Sequence, residues 1–152
     1  MRAVIQRTLN QAKVEVDSII TGQISHGLVV FLGIGQQDTE EDINWLANKI
    51  VNLRIFNDAA GKMNLSLKQI EGQILLISQF TLFADTKKGN RPSYIRSADP
   101  DHANGLYLKF AETLKTQHEV NTQTGVFGAH MNVDFINDGP VTIIIDTKVK
   151  QF

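Results

Sequence analysis

Few side chains in this sequence could do chemistry. Histidine occurs at positions 26, 102, 118 and 130, and no two of them stand at His-x-x-His or His-Glu-x-x-His spacing. Cysteine is absent. The chain therefore has no disulfide and no thiolate nucleophile, and its spacings predict no metal site. It lacks a Gly-x-Ser-x-Gly elbow and a Walker phosphate loop. Gly33-Ile34-Gly35 is missing the third glycine of a dinucleotide fingerprint. Nucleophile candidates reduce to the hydroxyls of Ser78, Thr81 and Ser93, none with an evident histidine base. If such a chain is an enzyme, it works by positioning and backbone donors, not by a hydroxyl–histidine triad.

Three stretches could supply such a site. Ser78, Gln79 and Thr81 put polar groups late in an otherwise apolar run, where they must find partners or face a cleft. The plain alternative is a strand in which Thr81 is a good strand former and Ser78 bonds to backbone. Residues 85–96 hold Lys87, Lys88, Arg91 and Arg96 against Asp85, a local balance of 4 − 1 = +3, with Tyr94 as an aromatic face. This segment could bind phosphate or be a solvated surface loop. Asn137-Asp138-Gly139-Pro140 separates two apolar runs. It could be an ordinary hairpin turn, or a place where bare glycine and proline backbone meets a ligand.

The elements that must position these residues follow from periodicity. Residues 2–8 read as a strand. Ala12, Val14 and Val16 alternate with charged residues as a half-buried strand. Residues 18–24 are expected to turn around Gly22. The nearly all-apolar run 28–34 predicts a central strand covered on both faces. A helix begins at Asp38, with Asp38 as the expected cap and Glu41 as its capping-box partner. Its stripe is Ile43, Leu46, Ala47, Ile50 and Leu53. Met63, Leu65 and Leu67 suit an extended segment or a short helical turn. One long strand is expected over 73–83. Asp99-Pro100 starts a second helix that runs to about Gln117 and buries Ala103, Leu106, Tyr107, Phe110, Ala111 and Leu114. His118 follows at its C-terminus, where a charged imidazole is favourable. Residues 121–128 read as a loop, 133–145 as a hairpin and 148–152 as a tail. Several strands and two long helices indicate an α/β layered fold.

At 152 residues and 42% hydrophobic content, the expectation is one domain, 1–152, with one core. Lys plus Arg is 15 and Asp plus Glu 16, so 15 − 16 = −1. Any nucleic-acid binding must then be local. The N-terminus has no apolar signal core and no window suits a membrane span, so a soluble cytoplasmic protein is expected.

Across nearly its whole length the chain resembles the D-aminoacyl-tRNA deacylases of the D-tyrosyl-tRNA deacylase type. The blocks that carry the resemblance are Ser78-Gln79-Phe80-Thr81-Leu82, Gly89-Asn90-Arg91-Pro92-Ser93 and Asn137-Asp138-Gly139-Pro140-Val141-Thr142, with Asn52-Leu53-Arg54-Ile55-Phe56 and Gly61-Lys62-Met63-Asn64 in support. The resemblance implies layered β-sheets closing into a barrel-like core with two main helices. It implies a homodimer with active sites at the subunit interface, and no cofactor. The implied reaction is hydrolysis of the ester joining a D-amino acid to the 3′ end of tRNA, and of glycine mischarged on alanine tRNA. Gly139-Pro140 matches a glycine–cis-proline motif that enters the partner's pocket and excludes L side chains. Ser78, Gln79, Phe80 and Thr81 match the catalytic wall that holds the terminal adenosine.

Two chemistries stay open at that wall. In one, Thr81 acts as the nucleophile; in the other, which the lack of a base beside Thr81 suits, backbone donors such as the Phe80 N–H hold the ester while the RNA 2′-hydroxyl assists water. By the same resemblance Arg7 holds the Gly-Pro loop, Lys87, Lys88 and Arg91 meet acceptor-stem phosphates, and Met131 lines the pocket. Phe83, Asn90 and His130 depart from the family's tyrosine, basic residue and aspartate. His130 is not read as a general base. The competing functions are a tRNA-end binding module without catalysis and a structural dimer.

Overall fold

A computed structural model describes residues 1–149. In chain order the elements are β1 (Arg2–Thr8), β2 (Ala12–Val16), β3 (Ile19–Ile24), β4 (Gly27–Gly33), α1 (Glu40–Asn52), β5 (Phe56–Asn57), β6 (Met63–Leu65), β7 (Gln73–Ser78), a 3-10 turn (Phe80–Phe83), α2 (Pro100–Thr116), β8 (Thr122–Thr124), β9 (Asn132–Asp134) and β10 (Thr142–Asp146). Part of the expected tail, residues 150–152, lies outside the described residues.

A five-stranded sheet runs β10-β1-β4-β7-β8, a three-stranded sheet β3-β2-β9, and β5 and β6 form a small ribbon. The large sheet is antiparallel from β10 to β4 and parallel from β4 to β8. A parallel β4–β7 pair needs a long crossover, and α1 with the β5–β6 ribbon supplies it. The two-residue period of β4 and β7 divides the core. Leu28, Val30, Leu32, Ile74 and Leu76 pack with Leu46, Ile50, Phe110 and Leu114 of the helices. Val29, Leu75 and Ile77 face Ala12, Val14 and Ile24 of the three-stranded sheet. The central strand is covered on both faces, as its continuous apolar run predicts. Gly27 has φ +137°, and an added Cβ would run into the Gln73 carbonyl, so glycine is required where β4 joins β7.

The three-stranded sheet leaves the β10–β1 half of the second face open. Val4, Phe31 and Ile144 stand in one row there. Ile144 is 53% exposed and Ile136 nearby in sequence 62%.

Several expectations need correction. No sheet of the described residues closes into a barrel: the large sheet ends at β10 and β8, and its second layer is a separate sheet. Residues 133–145 do not form a hairpin. β9 pairs with β2 and β10 with β1, so the Asn-Asp-Gly-Pro segment crosses between sheets. The strand expected over 73–83 stops at Ser78. Its last rung on β4 pairs Leu32 with Ser78, and β4 itself ends at Gly33. With no ladder left, the chain tightens into the 3-10 turn.

The turn expected at Gly22 lies instead at Asp17 and Ser18, both with positive φ. Gly22 sits within β3 beside a bulge, where an added Cβ would meet the Thr124 carbonyl at 2.6 Å. Within the expected loop 121–128, Thr122–Thr124 adds a strand parallel to β7. Helix α1 is capped one residue later than expected. The Thr39 N–H donates to Asp42 Oδ2 at 2.8 Å, while Asp38 receives the Met1 ammonium at 2.6 Å and the Gly35 N–H at 2.7 Å. The expected α2 start is present: Asp99 accepts from the His102 N–H at 3.1 Å, with Pro100 in the first turn. At His118, burial and then Lys68 push the pKa down, against the charged form that the helix end favours.

Candidate active site

Where β4 and β7 run out, the chain opens a pocket of about 710 Å³. One wall is Leu32, Ile77, Ser78, Gln79 and Phe80. Facing it are Tyr94, Ile95 and Ser97 to Pro100, Ala103 and Tyr107 of α2, and the segment Phe127 to Met131. The base is apolar and closed by Tyr107, which is 1% exposed. Its hydroxyl donates to the Leu76 carbonyl at 2.7 Å. Burial pushes the Tyr107 pKa up, so the phenol is a neutral anchor rather than an acid or base. At the mouth, Phe80 is 59% exposed and meets Tyr94 edge-on, ring centroids 5.0 Å apart.

The 3-10 turn starts at the pocket wall with Phe80, the residue of the turn that lines it. In 3-10 geometry the first intrahelical bond is Leu82 N–H to the Gln79 carbonyl, seen at 3.3 Å. The N–H groups of Phe80 and Thr81 precede it and find no acceptor among the described residues. Ser78 lines the same wall, and no hydrogen bond of its hydroxyl is found among the described residues. Thr81 does not line the pocket. Its hydroxyl accepts from the Gln79 amide, a neutral group that cannot take its proton. His130 and Met131 line the opposite wall.

The other expected site residues lie apart from this cavity. Gly139 and Pro140 are exposed and do not line the pocket of their own chain. Their peptide bond is cis, and Gly139 has φ +118°. Arg7 binds this loop from β1. Its N–H donates to the Val141 carbonyl at 3.1 Å, its carbonyl accepts from the Asp138 N–H at 2.8 Å, and its Nη2 pairs with Asp138 Oδ2 at 2.6 Å. Nη1 reaches the Ile55 carbonyl at 2.6 Å, which ties the loop to the chain beyond α1. Lys87, Lys88 and Arg91 are exposed in a loop closed by paired Asp85–Ser93 backbone bonds of 2.8 and 3.0 Å. None of the three makes an ion pair among the described residues.

A scan of the chain against family models matches D-Tyr-tRNA(Tyr) deacylase over residues 4–146. The chain belongs to the D-Tyr-tRNA(Tyr) deacylase family. It is 55% identical over 148 residues to a D-aminoacyl-tRNA deacylase of Thermosipho africanus (strain TCF52B), covering 97% of this chain and 98% of that protein. It is also 55% identical over 151 residues to a D-aminoacyl-tRNA deacylase of Flavobacterium psychrophilum, covering 99% of this chain and 100% of that protein. A solved structure of the c-Myc DNA Unwinding Element Binding Protein superposes with TM-score 0.89 at 38% identity, covering 97% of this chain and 99% of that one. A structure described as a probable eukaryotic D-amino acid tRNA deacylase shares the fold, with TM-score 0.82 at 16% identity over 95% of this chain and 98% of that one.

Of the expected wall Ser78, Gln79, Phe80 and Thr81, the first three line this pocket and Thr81 does not. Sequence reasoning did not find that Tyr107, Ala103 and Phe127 complete that pocket. The apolar stripe of α2 placed Tyr107 and Ala103 on the buried face, but a stripe cannot tell core from pocket floor. No group of three or more His, Asp or Glu residues among the described residues is placed to hold a metal.

Proposed function

We propose that this protein is a D-aminoacyl-tRNA deacylase, hydrolysing the ester between a D-amino acid and the 3′-terminal adenosine of tRNA. The observation that carries the reading is the unpartnered N–H of Phe80 at the pocket wall, with the equally unpartnered N–H of Thr81 next in the chain and no base beside the Thr81 hydroxyl. Water attacks the ester carbonyl carbon, assisted by the RNA 2′-hydroxyl. The Phe80 N–H, with that of Thr81, holds the developing oxyanion. The bond to the 3′-oxygen breaks, the proton passes to that oxygen, and D-amino acid and tRNA leave. One backbone donor of this kind is worth about 10²–10³ in rate.

Chirality enters through a second subunit. The protein acts as a homodimer in which Gly139-Pro140 of one subunit enters the pocket of the other. Three features support this: the pair is exposed, it lies outside its own pocket, and Arg7 holds it. The open apolar row of Val4, Phe31 and Ile144 gives such a dimer a face to bury. The backbone carbonyls of the pair then meet the α-carbon where an L side chain would stand. Glycine has no side chain there, so glycine mischarged on alanine tRNA also passes. Lys87, Lys88 and Arg91 contact acceptor-stem phosphates, contacts that weaken with salt. The protein works where charged tRNA is used, in the cytoplasm.

The test is release of D-tyrosine from charged tRNA, with L-tyrosyl-tRNA as control. Stoichiometric tRNA binding without release would make the protein a binding module. Dimerisation without tRNA affinity at any salt concentration would make it a structural protein. Either result overturns the reading.

A further inference from the structure

The 3-10 turn that carries Phe80 and Thr81 belongs to neither neighbouring sheet ladder, so something other than strand pairing must hold it. It packs on bare backbone: a Cβ added to Gly33 would meet the Gln79 carbonyl at 2.9 Å and Leu82 Cβ at 3.1 Å. Its carbonyls are then taken up in order. That of Gln79 accepts from the Leu82 N–H at 3.3 Å, that of Phe80 from Ser97 Oγ at 3.4 Å, and that of Thr81 from the Ala84 N–H at 3.0 Å. The fourth, Leu82, accepts from Arg2 Nη1 at 2.9 Å. Arg2 is the one charged side chain bonded to the turn among the described residues.

Arg2 makes two further contacts. Its Nε donates to Asp146 Oδ2 at 2.8 Å, and its guanidinium carbon lies 4.7 Å from the centre of the Phe83 ring. Asp146 is itself fixed, being 5% exposed and accepting the Lys148 N–H at 2.9 Å. Burial raises the Asp146 pKa, but the Arg2 and Lys148 hydrogen bonds outweigh it and hold the carboxyl below its ordinary range. The anchor is therefore ionised at neutral pH. A planar fork can reach a carboxylate, a carbonyl and an aromatic face at once, whereas an ammonium is a single point of charge.

We infer that Arg2 is a positioning residue for the reaction: clamped to Asp146 of β10, it holds the Phe80–Phe83 turn by the Leu82 carbonyl and the Phe83 ring, and so sets where the Phe80 N–H sits at the pocket and where the Thr81 N–H follows it. The kinetic consequence rests on the deacylase reading above; the positioning itself does not. Arg2 touches no substrate in this scheme. Its loss displaces donors that must stay in place in the transition state, and such misplacement costs about tenfold to a hundredfold in rate.

The experiment compares wild type, Arg2→Ala, Arg2→Lys and Phe83→Leu by two readouts. One is single-turnover release of D-tyrosine at saturating enzyme and at subsaturating enzyme. The other is the backbone amide resonances of residues 80–83. Arg2→Ala is expected to lower the saturating rate about tenfold to a hundredfold with half-saturation changed less than about twofold, and to shift the Phe80 and Thr81 amides. Millimolar guanidinium is expected to restore part of the rate in Arg2→Ala. Arg2→Lys and Phe83→Leu are expected to fall between it and wild type, and they carry the test if Arg2→Ala does not fold. Unmoved amides overturn the inference, and so does a lowered melting temperature with the saturating rate intact. If wild type releases no D-tyrosine, the deacylase reading fails, and the amide shifts alone then decide the role of Arg2.

Discussion

Replacing Thr81 with alanine separates two chemistries that differ by orders of magnitude. The Thr81 hydroxyl receives a hydrogen bond from the Gln79 amide, no other side-chain bond is found for it among the described residues, and it does not line the pocket. If its role is to steady the turn, removing it deletes one neutral hydrogen bond, about 0.5–1.5 kcal/mol. Passed wholly into the transition state, that is a factor of about 2–13 in rate. If Thr81 is instead the nucleophile, the acyl-enzyme route disappears, and such a deletion costs on the order of 10⁶ in a serine protease. The assay is single-turnover deacylation of D-tyrosyl-tRNA by Thr81→Ala, with intact mass of the quenched wild-type enzyme taken in parallel. The expected result is a rate within about 13-fold of wild type and no aminoacyl adduct. Loss beyond about 10⁴ in a folded variant that still binds tRNA, or an adduct on Thr81, would refute the reasoning and restore the nucleophile.

Three other expectations follow from the same contacts. Tyr107→Phe removes a buried donor, but the Leu76 carbonyl keeps the Gly125 N–H at 3.3 Å; the loss is then about 1 kcal/mol, read as a fall of about 2–4 °C in melting temperature, and no change would show that the hydroxyl bond contributes nothing. Burial raises the Asp42 pKa, but hydrogen bonds from Lys148, Thr147 and the Thr39 backbone outweigh it and bring it to about 2. A carboxylate depressed on folding stabilises above its unfolded pKa and loses that contribution as pH falls through the folded one. Asp42→Asn should therefore cost about 2 kcal/mol at pH 7 and flatten the stability profile between about pH 4 and pH 2 in urea titrations; an unchanged acid limb would count against the Lys148 pairing. Neutralising Lys87, Lys88 and Arg91 together should reduce the log–log salt slope of tRNA binding by about 2–3 while the saturating rate stays within about twofold; an unaltered slope would remove the loop from the RNA interface.

The sequence carried the parts of the fold that depend on local pattern. The run Leu28 to Ile34 announced a strand buried on both faces because both periods of two are apolar. Asp99-Pro100 announced α2 because cap and first-turn chemistry are local. What it did not carry was which strand pairs with which. The segments flanking Asn137 to Pro140 have the composition of a hairpin, yet β9 belongs to β2 and β10 to β1, a choice made by distant partners. The strand expected to reach Phe83 stops because β4 stops, a fact about a neighbour distant in sequence. The site was legible in the same uneven way. Family blocks pointed to Ser78 through Thr81, whereas Tyr107 and Phe127 read only as core, and Arg2 read only as the first residue of a strand.

That unevenness has a physical cause in the kind of site proposed. A triad or metal centre announces itself through side chains of unusual type and spacing. Here the proposed donors are main-chain N–H groups, and every non-proline residue carries one. What distinguishes Phe80 and Thr81 is that the ladder ends just before them and a 3-10 turn leaves their N–H groups without an acceptor. Gly139-Pro140 is similar: its exposed backbone is defined by Arg7, Asp138 and Val141 rather than by side chains of its own. Specificity of this kind is stored in how the backbone is held. Substitutions at the holders, Arg2 and Arg7, should therefore impair the reaction more than loss of the Thr81 hydroxyl. A scan in which Thr81→Ala proved more damaging than Arg2→Ala and Arg7→Met, all three folded, would contradict it.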